Sequence, residues 1–283
     1  MTSTVAIINW NSGLRLRTCI ESLLATTTTA DIMVVDNASE DDSIEMVQRF
    51  RNRVSFISNS VNRGFAAAIN QAFQTTGTHY VLVLNPDVRA MPGAVRLLEE
   101  FMNANPNAGA AGGHVNEKYL PRALPTVGTL VQENLGLRKI AGRNATSLQS
   151  GTAIEVEQPA AAAMMIRRDA YDSVGGFDER FYPAWYEDVD FCRRLKIEGW
   201  KIYFVPRAEF LHEGGYSAGA LGAEKFAGAY YGNQMRYAQK HFGVAGNAAV
   251  RASIAVGMIG RIIGRPRQAV AYGKVLAGVL KRA

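Results

Sequence analysis

Tyr80-Val-Leu-Val-Leu-Asn-Pro-Asp87 sets five apolar residues in a row and ends them in a polar turn. A strand without in/out alternation has both faces covered, as in a parallel sheet between helix layers. The pattern also occurs upstream. Val5-Ala-Ile-Ile8 runs into Asn9-Trp-Asn11, Ile32-Met-Val-Val35 runs into Asp36-Asn-Ala-Ser39, and Val54-Ser-Phe-Ile57 is a third apolar run. Helical stripes lie between them: Leu16, Ile20, Leu23 and Leu24, then Ile44, Val47 and Phe50, then Phe65, Ile69, Ala72 and Phe73. Strands alternating with amphipathic helices predict an α/β fold with a mostly parallel central sheet flanked by helices. In such sheets the ligand crevice lies beyond the carboxyl ends of the strands. That rule singles out Asn9-Trp-Asn11, Asp36-Asn-Ala-Ser39 and Asn85-Pro-Asp87.

The chain has 283 residues, 48% hydrophobic and 20% charged, which excludes disorder over most of its length and allows one large or two modest domains. Two cysteines exclude a disulfide scaffold, and a reducing compartment is expected. Met1-Thr-Ser-Thr4 carries no basic segment, so no secretory signal is expected. No run of about 20 apolar residues predicts a transmembrane helix. The charge is uneven. From Arg236 onward there are nine Lys/Arg and no Asp or Glu, whereas the first 235 residues hold 22 basic and 25 acidic residues. A basic surplus of this kind suits an anionic surface, either membrane or nucleic acid.

Beyond the first half the periodicity weakens. Residues 115–150, with several Gly and Pro, predict loops or short helices. Residues 160–166 read as a strand, 187–198 as a helix, and 201–205 as a strand stopping at Pro206. A compositional boundary near residue 240 separates a body, 1–240, from a basic helical tail, 241–283.

Asp87, held by a Pro-containing turn at a strand end, is placed to hold a hard cation; the same turn chemistry also suits local backbone capping. Asp36 is open to the same two readings, binding a base or ribose, or capping the helix that follows. On the helix from Glu187, steps of 100° put Asp188 among Phe191, Cys192 and Leu195, facing inward. Glu187, Asp190 and Arg194 share the opposite, polar side, where Asp190 and Arg194 can pair. An inward acid needs a partner or a task. His212 precedes a polar loop and can complete a metal site begun by Asp87, or serve structurally.

Six segments in order, Val35-Asp-Asn-Ala-Ser39, Asn62-Arg-Gly-Phe-Ala66, Leu84-Asn-Pro-Asp87, Gly175-Gly-Phe-Asp-Glu179, Tyr186-Glu-Asp-Val-Asp190 and His212-Glu-Gly-Gly-Tyr-Ser217, resemble the inverting family 2 glycosyltransferases of GT-A fold. The rhamnosyltransferase-like branch is the closest in pattern. The resemblance implies a Rossmann-like nucleotide-sugar half over about 1–113 and an acceptor half over about 114–240. It implies that Asp36 binds the base or ribose, that Asn9, Trp10 and Asn11 line the same pocket, and that Asn62 and Arg63 lie near the donor nucleotide. Asn85 and Asp87 stand where a DxD motif would, with Asn85 replacing its first acid. Asp87 and His212 would hold Mg²⁺ or Mn²⁺, and Asp188 would be the general base. The implied donor is dTDP-rhamnose, with a UDP-sugar such as UDP-galactofuranose as the alternative.

The implied acceptor is a glycan or a polyprenyl-diphosphate-linked sugar used in bacterial surface-polysaccharide synthesis, which places the enzyme on the cytoplasmic face of a membrane. Arg267, Lys274 and Lys281 recur every seven residues after Pro266, so the tail predicts an amphipathic cationic helix, suited to an anionic bilayer or to packing on the body. A nucleotidyltransferase fits poorly, because Asn9-Trp-Asn-Ser-Gly13 is no basic Gly-rich loop. A nucleic-acid binder fits poorly too, given the acidic body and few aromatics among the tail cations, so no nucleic-acid partner is expected.

Overall fold

A computed structural model describes residues 1–26, 30–116, 119–137, 151–212 and 221–281. The first half alternates as expected: β1 (Ser3–Asn9), α1 (Leu14–Thr26), β2 (Asp31–Asp36), α2 (Ser43–Gln48), β3 (Ser55–Ser58), α3 (Phe65–Thr75) and β4 (Tyr80–Leu84). Then come β5 (Val88–Ala90), α4 (Ala94–Ala104), β6 (Ala108–His114), α5 (Val127–Asn134), β7 (Ile154–Glu155) and β8 (Ala163–Arg167). The chain continues with α6 (Arg168–Ser173), α7 (Glu187–Ile197), β9 (Lys201–His212), α8 (Ala223–His241), α9 (Gly243–Gly264) and, after a 3-10 turn, α10 (Ala269–Lys281).

Nine strands form one sheet in the order β3-β2-β1-β4-β8-β6-β9-β5, with β7 paired to β9. β1 to β4 are mutually parallel, and β8 runs antiparallel between β4 and β6. β9 is parallel to β6, while β5 and β7 oppose β9, so most strands share one direction. Successive residues of β1 enter opposite cores. Val5 and Ile7 pack with Leu16, Leu23 and Leu98, whereas Ala6 and Ile8 pack with Ile69, Phe73 and Phe191. Burying each large apolar side chain contributes roughly 1.5–3 kcal/mol, which is why the continuous apolar runs become central strands.

One expectation changes. The strand expected to stop at Pro206 continues to His212. Its register on β6 jumps between the Gly113–Val205 and His114–Glu209 pairs, so Pro206 lies in an irregularity where a missing N–H costs no ladder bond. Within the region expected to hold loops or short helices, residues 127–134 form the short helix α5, which Thr126 caps by accepting from the Thr129 N–H. Residues 117–118 and 138–150 of that region lie outside the described residues.

The compositional change near residue 240 falls at the turn between α8 and α9. α8, α9 and α10 share a third apolar cluster that also includes Leu130, Phe181 and Tyr186. Tyr272, Val275 and Val279 of α10 are buried in it, so the tail packs on the body.

Candidate active site

Strand register assembles the first group of polar residues. Asn9 pairs with Asp36 across β1 and β2. Asp36 is 1% exposed; its Oδ1 accepts from Asn9 Nδ2 and from Ser39 Oγ, each at 2.6 Å, and its Oδ2 accepts from the Ser39 N–H at 2.9 Å. Asp36 therefore closes its own loop and does not cap α2, where Asp42 stands at the N-cap without a side-chain bond. Asn11, in the left-handed region at φ 51°, accepts from the Glu40 N–H at 2.7 Å. Trp10 is half-buried beside it, and Asn9 Oδ1 is buried without a partner among the described residues.

Asn37 ties this edge to the next loop. Its amide donates to the Gly64 carbonyl at 3.0 Å, and its oxygen accepts from the Arg63 N–H at 3.4 Å. Asn62 accepts from the Gly64 N–H at 2.9 Å, and the Arg63 residue is exposed. Asn9, Trp10, Asn11, Asp36, Asn62 and Arg63 thus line one edge of the sheet.

The second group lies at the end of β4. Asp87 is 6% exposed, and its Oδ1 is 3.1 Å from His212 Nε2. The extension of β9 past Pro206 produces this contact by pairing His212 with Val88. At this distance the two side chains hydrogen-bond to each other; a carboxylate and an imidazole are ligands of the kinds that hold Mg²⁺ or Mn²⁺, and no third His, Cys, Asp or Glu joins them among the described residues. His212 Nδ1 is buried with no partner among the described residues. Asn85 is fixed through its backbone, donating to the Ala162 carbonyl at 3.0 Å. Residues 213–217 of the sixth motif lie outside the described residues.

The third group begins with strained backbone. Trp185 and Tyr186 both hold positive φ, 76° and 74°, at a cost of roughly 1–2 kcal/mol each. Asn233 on α8 holds this segment, its amide donating to the carbonyls of Tyr182, Ala184 and Trp185 at 3.2, 2.8 and 3.1 Å. The Gly175-Gly-Phe-Asp-Glu179 motif supports α7 from the other side. Asn70 grips Phe177 through its N–H and carbonyl, and Phe177 stacks on Phe191 with ring centroids 4.1 Å apart.

Asp188, so presented, lines a cavity of about 620 Å³ together with Asn85, His212, Gln158, Glu187 and Arg122. Asp188 is half-buried, and its Oδ2 accepts from Gln158 Nε2 at 2.8 Å. Burial pushes its carboxyl above the ordinary range, opposed by hydrogen bonds from the Val189 N–H and Gln158. Glu187 is buried, with Oε2 unpartnered among the described residues. Desolvation, then the charge of Asp188, holds its carboxyl well above the usual value.

The polar side expected for α7 is corrected. Phe191, Cys192 and Leu195 enter the core, but Asp190 is fully buried rather than solvated. α8 covers that side and brings Lys240 Nζ to 2.7 Å and His241 Nε2 to 2.8 Å, joining Arg194 Nε at 2.7 Å. Burial works against the ionised Asp190, but His241, Arg194 and Lys240 outweigh it and hold the carboxyl below its ordinary range.

Gln158, Glu187 and Arg122 were not singled out as site residues from sequence. Glu187 carried a partial signal as an acid beside Asp188. Gln158 belongs to no motif; its bridge to Arg122 brings it to the cavity wall, and that pairing has no local sequence signature.

A mostly parallel sheet with an acidic turn after its fourth strand, and a separate acid across a cavity, is the architecture of a GT-A glycosyltransferase. The glycosyl transferase family 2 profile matches residues 4–175, more than half of the chain, and the chain belongs to this family. A profile described as the N-terminal domain of galactosyltransferase matches residues 145–213. The N-acetylglucosaminyl-diphospho-decaprenol L-rhamnosyltransferase of Mycobacterium tuberculosis is 29% identical over 84% of this chain and 85% of its own length. Rhamnosyltransferase WbbL of Escherichia coli is 23% identical over 70% of this chain and 78% of its own. The mannosyltransferase PcManGT from Pyrobaculum calidifontis, solved with GDP-Man and Mn²⁺, has a similar fold, with a TM-score of 0.60 at 14% identity, covering 99% of this chain and 75% of that one.

Proposed function

We propose that this enzyme transfers rhamnose from dTDP-rhamnose, with inversion at the anomeric carbon, to a polyprenyl-diphosphate-linked glycan used in cell-surface polysaccharide synthesis. The observation that carries the reading is the single cavity shared by Asp188, Asn85 and His212, which sets a carboxylate across from the strand end that bears Asp87. The similarity to a decaprenol-linked rhamnosyltransferase over most of both chains supports the sugar and the acceptor class.

The residues divide the work. The edge holding Asn9, Trp10, Asn11 and Asp36 takes the nucleoside, with the half-buried Trp10 and Asn11 facing it and the buried Asn9 fixing Asp36 behind them. Asn62 positions the loop that carries Arg63, whose exposed cation suits the donor's phosphates. Asp87 and His212 would hold Mg²⁺ or Mn²⁺, which would supply positive charge to a leaving diphosphate. Asn85 contributes one charge fewer than a second aspartate and weakens the hold on that cation.

Asp188 takes the proton of the acceptor hydroxyl as its oxygen bonds to the anomeric carbon. The bond from that carbon to the diphosphate breaks on the opposite face, and nucleoside diphosphate leaves. A carboxyl raised by burial makes a stronger base than an ordinary aspartate, and Gln158 fixes its direction.

A donor screen tests the reading. Purified enzyme with Mn²⁺ or Mg²⁺ and a polyprenyl-diphosphate-GlcNAc acceptor is expected to release dTDP from dTDP-rhamnose faster than UDP from UDP-galactofuranose. The reverse preference overturns the donor, and release that is independent of acceptor overturns the acceptor class.

A further inference from the structure

α9 turns one face to the body and presents an unusual face to solvent. Val250, Ser253, Ile254, Gly257 and Met258 are buried. Gly257 sits so close that a Cβ there would meet the Asn134 carbonyl of α5 at 2.1 Å. Asn134 also donates to Ser253 Oγ at 2.9 Å and accepts from Arg261 at 2.6 Å. At 100° per residue, the direction opposite this packed face is filled by Ala245, Ala252, Val256, Ile259 and Ile263. Val256, Ile259 and Ile263 are 58%, 49% and 78% exposed. The solvent face of a helix on a water-soluble body ordinarily carries charge, and this one is apolar from end to end.

The charges lie around the stripe. No acidic residue follows Glu224 in the sequence. Arg265 and Arg267 are exposed just past the carboxyl end of α9. Arg251 of α9 donates to the Val279 carbonyl at 2.7 Å, which brings the end of α10 and its exposed Lys281 toward the other half of the stripe. Cations therefore bracket the apolar stripe, and the helix that carries it has no acid of its own; Glu133 lies on the body side near Arg261, and Glu224 pairs with Lys274 of α10.

We propose that this face of α9 docks flat on an anionic lipid bilayer. The occupant follows from charge: two copies meeting on this stripe would bring Arg265, Arg267 and Lys281 of each together, whereas anionic headgroups complement them. α9 spans 22 residues, enough by length to cross a bilayer, but its opposite face is locked to α5 through Gly257, Asn134 and Arg261. It lies in the interface rather than across it. The tail's own amphipathic helix, α10, turns Tyr272, Val275 and Val279 inward and exposes Val270 and Leu280 only singly near its two ends, whereas α9 presents a continuous stripe.

Thr126, Thr129, Leu130 and Glu133, at or on α5, line the cavity that holds Asp188. A bilayer against α9 is thus separated from the cavity by about one helix layer, roughly 8–10 Å. This last link, delivery of a lipid-linked acceptor, rests on the proposed function; docking itself does not.

Co-flotation of the full chain with vesicles of phosphatidylcholine, with and without about 30% phosphatidylglycerol, tests the docking. The wild type is expected to float with the anionic vesicles and far less with neutral ones. The variant I259E/I263E should lower anionic-vesicle partitioning by about tenfold or more with an unchanged melting temperature. R265E/R267E should lower it several-fold on anionic vesicles only. Undiminished flotation of I259E/I263E overturns the proposal. So does a wild-type dimer in light scattering that I259E/I263E dissociates without any vesicle binding, an outcome that assigns the face to a second copy. Flotation needs neither donor nor acceptor, so its failure is distinct from failure of the donor screen.

Discussion

Asp188 and Asp190 stand two residues apart on α7, and the two sides of the helix treat them in opposite ways. Asp188 faces a cavity with one amide donor, and burial raises its carboxyl. Asp190 is enclosed by Arg194, Lys240 and His241, and its carboxyl is lowered. Paired titratable groups whose surroundings push them apart mark different tasks. One carboxylate is kept available to take a proton. The other ties the C-terminal helices to the catalytic body, and the same helices supply Asn233, which holds the strained turn ahead of Asp188.

The largest effect expected from breaking this contrast is at Asp188. Asp188→Asn should lower turnover by about 10²–10⁴-fold, measured as nucleoside diphosphate release, with donor affinity by calorimetry unchanged. Full turnover in that variant removes the residue from the base role. Asp190→Ala removes the buried carboxylate shared by Arg194, Lys240 and His241 and should cost about 3–5 kcal/mol in urea unfolding, while the folded fraction keeps its activity. Loss of turnover without loss of stability would reverse the two assignments.

Gln158→Leu sharpens the contrast from the cavity side. It deletes a hydrogen bond to a charged group, worth about 1.5–3 kcal/mol, and should move the acid limb of kcat/KM upward by about 1–2 pH units. The pH dependence of the wild type separates the two acids at smaller amplitude. Asp188 acts when deprotonated, so activity rises with pH through a midpoint above the ordinary aspartate value of about 3.9. The lowered Asp190 contributes stability that is present above its unfolded value and lost as pH falls through its lower folded value. On acidification, activity should therefore decline before circular dichroism reports unfolding, and the opposite order would break the distinction.

Much of this was legible in advance because it rests on local chemistry. The apolar runs ending in Asn9, Asp36 and Asn85 announced strands with polar ends, and parallel pairing in register placed Asn9 beside Asp36. The contact of His212 with Asp87 was inferred through family resemblance, and the structure shows how it arises, by a strand that continues through Pro206 at a register shift. Gln158 was out of reach, since it meets Asp188 from 30 positions earlier in the chain.

The order of apolar and polar residues by itself determined the alternating layers, the strand ends where the site forms, and the acid-free character of the last two helices. Helical periodicity placed Phe191, Cys192 and Leu195 on one side of α7 but left open what would cover the other, because it orients side chains relative to one another and not to elements that arrive later. Only tertiary packing decided that Asp190 is buried, that α10 turns its apolar side inward, and that α9 is left with an uncovered one. Each of those outcomes depends on which helix reaches a neighbour first with a complementary shape or charge, and no single segment encodes that.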